Sequence, residues 1–71
     1  MNVKDLRKVL MKKHGFSKAF SERVLSTVLE TIRSELAAGQ SVKIRNFGSF
    51  RIRKINGKAR VEFEDSPNFF R

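Results

Sequence analysis

Cysteine, tryptophan and tyrosine are absent from the 71 residues, and proline occurs once. Without cysteine there is no disulfide framework and no thiolate nucleophile, which suits a reducing compartment. The one histidine, His14, has neither a cysteine nor a cluster of carboxylates to join it in a metal site or a nucleophile–base pair. We therefore expect a protein that is not an enzyme, with no catalytic residue, metal, cofactor or small-molecule substrate.

A long apolar run is also lacking, so the sequence has no pattern typical of a signal peptide or a membrane span. We expect a soluble cytoplasmic protein with no membrane partner. A chain of this length forms one domain at most, and such a domain buries only about 60% of its unfolded surface. A second subunit is therefore expected to contribute to its stability.

Positive charge is present in excess, with 16 Lys and Arg against 7 Asp and Glu, a net charge of +9 and a pI near 11.0. Between Leu36 and Val61 seven side chains are basic and none is acidic. This charge favours a polyanionic partner. On a hairpin that follows two helices, it is typical of a nucleic-acid-binding protein rather than an enzyme.

Two helices are predicted in the first half of the chain. Asn2 is a suitable N-cap, and the apolar spacing after it predicts a helix over roughly residues 3 to 13. Gly15 ends that helix, Ser17 can cap a second one running to about residue 38, and Gly39 is the C-terminal signal. The apolar rows of the second helix contain Phe20, Val24, Val28, Ile32 and Leu36, and Leu25 and Leu29. They cover about half its circumference, so we expect it to pack on the first helix and the sheet on one side and on a copy of itself on the other.

After Gly39 the apolar period changes to two, and the alternation from Val42 to Arg45 predicts a strand followed by a turn or bend over residues 46 to 49. Asn56-Gly57 predicts a two-residue type I′ hairpin turn, which places Ile55 opposite Lys58. Counting from this turn gives an apolar face with Phe50, Ile52, Val61 and Phe63, and a cationic face with Arg51, Arg53, Lys58, Arg60 and Glu62.

On the cationic face, Arg53 is expected directly opposite Arg60, a like-charge pair that destabilises an isolated hairpin by up to roughly 1 kcal/mol. Only Arg51 is expected to have a carboxylate opposite it, that of Glu62. Basic residues that keep a strand edge soluble would explain scattered charges. The concentration of one sign on one face instead favours contacts with phosphates.

These features together resemble the HU and integration host factor family of bacterial histone-like DNA-binding proteins. The resemblance runs without a gap from Met1 to about Arg53. Its main elements are Gly15 and Ser17 between the helices, Ile32 to Leu36, and Arg45-Asn46-Phe47-Gly48-Ser49-Phe50-Arg51-Ile52-Arg53. Val61-Glu62-Phe63 is similar to the family's return strand, and Pro67-Asn68-Phe69 to its Pro-x-Phe element.

The resemblance implies an α+β fold, a helical hairpin followed by a three-stranded antiparallel sheet, in an intertwined homodimer. The expected single domain covers residues 1–71, with the helical hairpin in 1–39, the sheet and its short hairpin in 40–65 and a C-terminal tail in 66–71. The implied dimer core contains Val28, Ile32, Phe47, Phe50, Phe63 and Phe69. Phe47 and Phe50 are expected to be buried structural anchors rather than base-stacking groups.

Arg45, Arg51 and Arg53 match family positions that face DNA, and Lys4 lies at the helix end with which the family touches phosphates. Lys58 and Arg60 are added because the register places them on the cationic face. The full set of expected DNA-binding residues is Lys4, Lys43, Arg45, Arg51, Arg53, Lys54, Lys58 and Arg60.

The sequence departs from the family in two places. The family's long arm, whose proline wedges between base pairs, is reduced here to Asn56-Gly57, and the closing helix is not found among these residues. We therefore expect a short-armed variant without proline intercalation. It would bind double-stranded DNA without sequence specificity, as an architectural protein of a bacterial or phage nucleoid active in DNA condensation.

An alternative is an interaction protein that heterodimerises with a full-length HU-like subunit and modulates it, a role that a reduced arm would suit. Charge reversal at Arg53 and Arg60 would weaken a DNA-binding protein but not this one, which would instead be sensitive to changes at Phe47 or Phe50. A membrane-binding amphipathic peptide is a weaker alternative, because the second helix carries balanced charges.

Overall fold

The computed structural model describes residues 1–70, so Arg71, the last residue of the predicted tail, lies outside the described residues. Helices α1 (Val3–His14) and α2 (Lys18–Ala37) precede strands β1 (Val42–Ile44), β2 (Gly48–Ile55) and β3 (Lys58–Asp65). The predicted order of two helices and three antiparallel strands is confirmed. The chain divides into two compact units, one of residues 1–31 and one beginning at Ile32. Neither helix in the described part of the chain is both long enough and apolar enough to cross a membrane.

Helix α1 begins at the predicted N-cap. The backbone N–H of Asp5 donates to Oδ1 of Asn2 (3.2 Å), and the N–H of Asn2 donates to Oδ2 of Asp5 (2.9 Å), which completes a reciprocal capping box. At the other end Gly15 adopts the left-handed conformation (φ 68°) and its N–H donates to the carbonyl of Met11. The helix stops here because this conformation suits glycine and satisfies a terminal carbonyl.

Helix α2 is also capped as predicted. Oγ of Ser17 accepts a hydrogen bond from the N–H of Phe20 at 3.1 Å. At its C-terminal end Gly39 has φ 83°, its N–H donates to the carbonyl of Leu36, and the N–H of Gln40 donates to the carbonyl of Glu35. These two bonds form a Schellman motif, which terminates the helix.

Within the first unit, one ion pair joins the two helices. Nη1 of Arg7 in α1 donates to Oε1 of Glu22 in α2 at 2.7 Å. Ser21, next to Glu22, is fully buried, whereas Phe20 and Val28 in the same helix each remain 48% exposed. The first helix therefore leaves much of the apolar surface of α2 uncovered in the single chain.

The sheet has the order β1-β2-β3, with both neighbouring pairs antiparallel. Asn56 (φ 52°) and Gly57 (φ 78°) have the two positive φ angles of a type I′ turn. The pairs Ile55–Lys58, Arg53–Arg60 and Arg51–Glu62 all lie opposite each other across β2 and β3. The predicted turn and register are confirmed.

The connection between β1 and β2 differs from the predicted turn over residues 46 to 49. The turn occupies residues 45–47, with Asn46 at φ 63°, and Gly48 already belongs to β2. Glycine is required there by packing, because a Cβ atom on Gly48 would lie 2.5 Å from the carbonyl oxygen of Glu64 and 2.6 Å from Cζ of Phe63. Only a residue without a side chain lets β3 and the Phe63 ring approach this closely.

An aromatic cluster lies in the second unit. The ring centroids of Phe47, Phe50, Phe63 and Phe69 are 5.0 to 6.4 Å apart across the contacting pairs. The N–H of Ser66 donates to the carbonyl of Phe47 at 2.9 Å and so fixes the start of the tail beside this cluster.

The single chain does not enclose a core of its own. Among residues 1–70, Leu36 is the one large apolar side chain that is buried, at 6% exposure, while Phe47 and Phe63 remain 42% and 44% exposed. Phe47 was expected to be buried in the core of a dimer, and that burial remains a prediction. A domain this small has too little chain to cover both sides of its apolar groups.

Candidate nucleic-acid interface

The pairing of the strands brings five of the predicted DNA-binding residues to one side of the sheet. Directly opposed residues of an antiparallel pair share a face, and alternate residues along a strand do so as well. Lys43 pairs with Ser49, and Ser49 pairs with Glu64, which extends the cationic face across all three strands. Its charged side chains are Lys43, Arg51, Arg53, Lys58, Arg60, Glu62 and Glu64. Five cations and two carboxylates give this face a net charge of +3.

The other three predicted residues lie elsewhere. Arg45 is in the turn before β2, and Lys4 is in the first turn of α1. Lys54 pairs with Ala59 and shares the apolar face with Ile52 and Val61, so it is not part of the cationic face. Counting from the Asn56-Gly57 turn, which assigns the other hairpin residues to their faces, also places Lys54 on the apolar face. Its contact with DNA remains a prediction, as do those of the other seven residues.

Two carboxylates neutralise part of the cationic face. Nη1 of Arg53 donates to Oε2 of Glu62 at 3.2 Å. Arg51 lies 3.9 Å from Glu62 through Nε and 3.7 Å from Glu64 through Nη2. Of Arg51 and Arg53, only Arg51 has a carboxylate directly opposite it, as expected from the register. Arg53 reaches Glu62 along the diagonal of the ladder, a distance that long side chains span.

Three cations of this face remain available. Within residues 1–70, no ion pair joins Lys43, Lys58 or Arg60 to a carboxylate. All three are exposed. These are the side chains that can meet a phosphate without first breaking a protein ion pair.

One apolar side chain on the cationic face was not singled out from the sequence. Ile55 lies at the end of β2, opposite Lys58, and is 47% exposed. The register places it on this face as surely as it places Arg51 and Arg53, so the signal was present in the sequence.

The opposite, apolar face carries part of the predicted dimer core. Phe50 and Phe63 pair directly across β2 and β3 on this face, and Phe47 and Phe69 contact Phe63 from the turn and the tail. The other predicted members, Val28 and Ile32, lie in α2, where they are exposed and half-buried respectively. The assignment of these six residues to a dimer interface remains a prediction.

In the described part of the chain, no group of three or more His, Cys, Asp or Glu is placed to hold a metal ion.

Comparison with known proteins places this arrangement in a family. The family model described as bacterial DNA-binding protein matches residues 1–64. The DNA-binding protein HU of Thermotoga maritima is 44% identical over 61 residues, which cover 86% of this chain and 68% of that protein. Integration host factor subunit alpha of Maricaulis maris is 39% identical over 54 residues, or 76% of this chain and 54% of that one. The chain thus spans about half the length of this second relative.

Solved structures give the same result. A mutant of HU from Thermotoga maritima superimposes with a TM-score of 0.87 at 36% identity, covering 97% of this chain and 93% of that one. The HU–DNA cocrystal structure from Anabaena gives a TM-score of 0.79 at 24% identity, with 97% and 92% coverage, and supports the fold alone. The match over residues 1–64, the relatives and the shared fold establish that this chain belongs to the bacterial DNA-binding protein family, together with HU and integration host factor.

Proposed function

We propose that this protein binds double-stranded DNA without sequence specificity, as a homodimeric architectural protein. The observation that carries the proposal is the cationic face, where Lys43, Lys58 and Arg60 are exposed and free of carboxylates. Each phosphate that these cations neutralise releases counterions, so binding strengthens as salt is lowered. Its site of action is the bacterial or phage nucleoid in the cytoplasm.

The shape of the hairpin supports a mode that follows the phosphate backbone. Its two-residue turn at Asn56-Gly57 leaves no long arm to reach around a duplex, and its tip contains no proline. Contacts with phosphates position a protein but carry little sequence information. Tolerance of many sequences therefore follows.

The proposed homodimer is supported by the apolar surface that one chain leaves open. Phe20, Phe47 and Phe63 are each more than 40% exposed. Burying a large apolar side chain contributes roughly 1.5–3 kcal/mol, so covering these rings and their neighbours is a substantial stabilising term. A second copy offers the matching surface through two-fold symmetry.

The test is titration of a short fluorescent duplex at several salt concentrations, with anisotropy for affinity and native mass spectrometry for the mass of the complex. We expect a steep negative slope of log K against log salt and two protein chains per complex. Arg60→Glu should weaken binding far more than Arg23→Glu, which makes the same charge change on α2. Absence of binding at low salt would refute the proposal.

The exposed aromatic cluster also favours a second candidate, a subunit that pairs with a full-length HU-like protein. Mixing the chain with such a protein and measuring the masses of the complexes distinguishes this candidate from the homodimeric DNA-binding protein. A mixed dimer with no DNA affinity of the chain alone would support this candidate. Loss of the mixed dimer in Phe47→Ala, together with its retention in Arg60→Glu, would support it further.

A further inference from the structure

Strand β3 leaves one edge of the sheet open. The order β1-β2-β3 places it at the end of the sheet, and no strand within residues 1–70 pairs with its outer side. It is eight residues long, whereas β1 at the opposite edge has three. Every residue of β3 except the half-buried Glu62 is exposed. Such an edge presents unpaired backbone N–H and C=O groups to any strand that approaches it.

The hairpin determines which backbone groups point outward. A two-residue turn closes with a hydrogen-bonded pair, here Ile55 and Lys58, and every second pair along the ladder is then hydrogen-bonded as well. Lys58 and each alternate residue after it therefore direct their backbone groups toward β2. The residues between them direct theirs to the open edge, and these are Ala59, Val61, Phe63 and Asp65.

The charges on the cationic side of β3 change sign halfway along the strand. They are basic in the first half and acidic in the second, in the order Lys58, Arg60, Glu62 and Glu64. In an antiparallel copy the direction is reversed, so the basic half of one strand meets the acidic half of the other. The strand is thus complementary to itself. Charges that only protect an edge from aggregation would not need this order.

One register satisfies the backbone and the charges together. With Val61 opposite Val61 of a second copy, the outward backbone groups of both strands pair. The opposed charges are then Lys58 with Glu64 and Arg60 with Glu62, and two-fold symmetry repeats each pair. A shift of two residues, the smallest that keeps the faces matched, instead places Glu62 opposite Glu62 or Arg60 opposite Arg60.

The same register covers apolar side chains on the other face. Val61 is 58% exposed and would meet its own copy, and Phe63 is 44% exposed and would meet Ala59 of the second copy. Cross-strand pairs of apolar side chains stabilise a sheet in addition to its backbone hydrogen bonds. Both faces of the strand therefore favour a second copy of this chain as the partner.

We propose that β3 binds β3 of a second copy, antiparallel and centred on Val61, and so joins two homodimers edge to edge. The two-fold axis is perpendicular to the sheet, so both cationic faces lie on the same side. Each copy contributes its net charge of +3, so the joined surface stays cationic. A homodimer has two such edges, and the contact extends the surface from one homodimer to the next. The use of that surface for DNA rests on the proposed function, whereas the contact itself forms without DNA.

Cysteine cross-linking tests the register, because the chain has no cysteine of its own. Val61→Cys places two thiols on residues whose Cα atoms lie about 5.5 Å apart in the proposed contact, within the range for a disulfide. Ala59→Cys is the matched control on the same edge and face, but the two copies of residue 59 lie roughly 13 Å apart. Under mild oxidation without DNA, we expect Val61→Cys to cross-link at least roughly 10-fold faster than Ala59→Cys, and native mass spectrometry to show assemblies of more than two chains.

A charge swap in the Val61→Cys protein tests the complementarity. Lys58→Glu places two carboxylates opposite each other, and Glu64→Lys places two ammonium groups opposite each other. Each change should slow cross-linking by roughly 10-fold. A mixture of the two variants should restore the rate, because each then meets the opposite charge. Recovery on mixing also shows that both variants are folded.

Three results would overturn the edge contact. They are equal cross-linking rates at the two cysteine positions, no recovery when the charge variants are mixed, and cross-linked chains that occur only in assemblies of two. The titration of DNA with the unaltered protein is a separate measurement. A failure of the edge contact is therefore distinguishable from a failure of the DNA-binding proposal.

Discussion

Replacing Glu62 with glutamine is expected to strengthen DNA binding. The Glu62 carboxylate lies 3.2 Å from Arg53 and 3.9 Å from Arg51, so it neutralises cations on the face proposed to meet phosphates. Glutamine keeps the size of the side chain and one acceptor oxygen but removes the charge. Arg53 then becomes available to a phosphate without an ion pair to break.

The size of the effect follows from the number of cations released. If one arginine is freed per chain, a dimer gains two phosphate contacts, and the slope of log K against log salt becomes steeper by roughly 1.8. At about 0.1 M salt the same two contacts raise the affinity by up to roughly 60-fold. The hairpin loses little, because ion pairs this exposed contribute only about 0–1 kcal/mol each.

The assay is an anisotropy titration of a short duplex at four or more salt concentrations, beside a denaturant titration for stability. Glu22→Gln is the control. It makes the same change in net charge and also removes a carboxylate from an arginine, since Glu22 lies 2.7 Å from Arg7, but both residues are in the helices. The control should change the slope by much less than Glu62→Gln does.

Two results would refute this reasoning. An unchanged slope in Glu62→Gln would mean that Arg51 and Arg53 do not meet phosphates. Equal gains in Glu62→Gln and Glu22→Gln would mean that affinity follows net charge alone, without a defined binding face.

The remaining predictions concern stability, measured as the free energy of unfolding in denaturant titrations. Gly48→Ala is expected to destabilise the protein by about 1–3 kcal/mol or more, because its Cβ atom would lie 2.5 Å from the Glu64 carbonyl oxygen. Gly57→Ala is the comparison, since open space surrounds it and only its φ of 78° is unfavourable, for about 1–2 kcal/mol; a smaller loss at Gly48 than at Gly57 would contradict the packing argument. Asn2→Ala removes the acceptor for the Asp5 N–H and should destabilise by about 0.5–2 kcal/mol, whereas Asn2→Ser should be nearly neutral.

The helices and the hairpin were predictable because short-range chemistry determines them. Asn2, Ser17 and Gly39 act at helix ends through bonds to backbone groups within a few residues. Asn56-Gly57 fixes the turn, and the register of eight residue pairs follows from that turn by counting.

Two features, the position of Gly48 and the Arg53–Glu62 ion pair, depend on three-dimensional contacts that a sequence pattern does not show. The place of Gly48 is determined by the ring of Phe63, which approaches from another strand. The predicted turn therefore began one residue and ended two residues too far along the chain. The pairing of Arg53 with Glu62 depends on how a long side chain turns toward its diagonal neighbour. The direction in which the Arg53 side chain turns depends on the local geometry of the sheet and cannot be read from the sequence.

The aromatic cluster was predicted as part of an assembly. The resemblance to the family placed Phe47 and Phe63 in a dimer core, and the two side chains remain 42% and 44% exposed in one chain. Their burial against a second subunit stays a prediction.

The two-residue turn between β2 and β3 also bears on how quickly the protein can find DNA. Ordering a flexible segment on binding costs about 1–2 kcal/mol per residue in backbone entropy, and a long arm would incur this at every encounter. Here the cations are presented by paired strands that are ordered before contact. If this face binds DNA as proposed, association needs no folding step, and its rate is expected to be governed by electrostatic steering and to fall as salt screens the attraction.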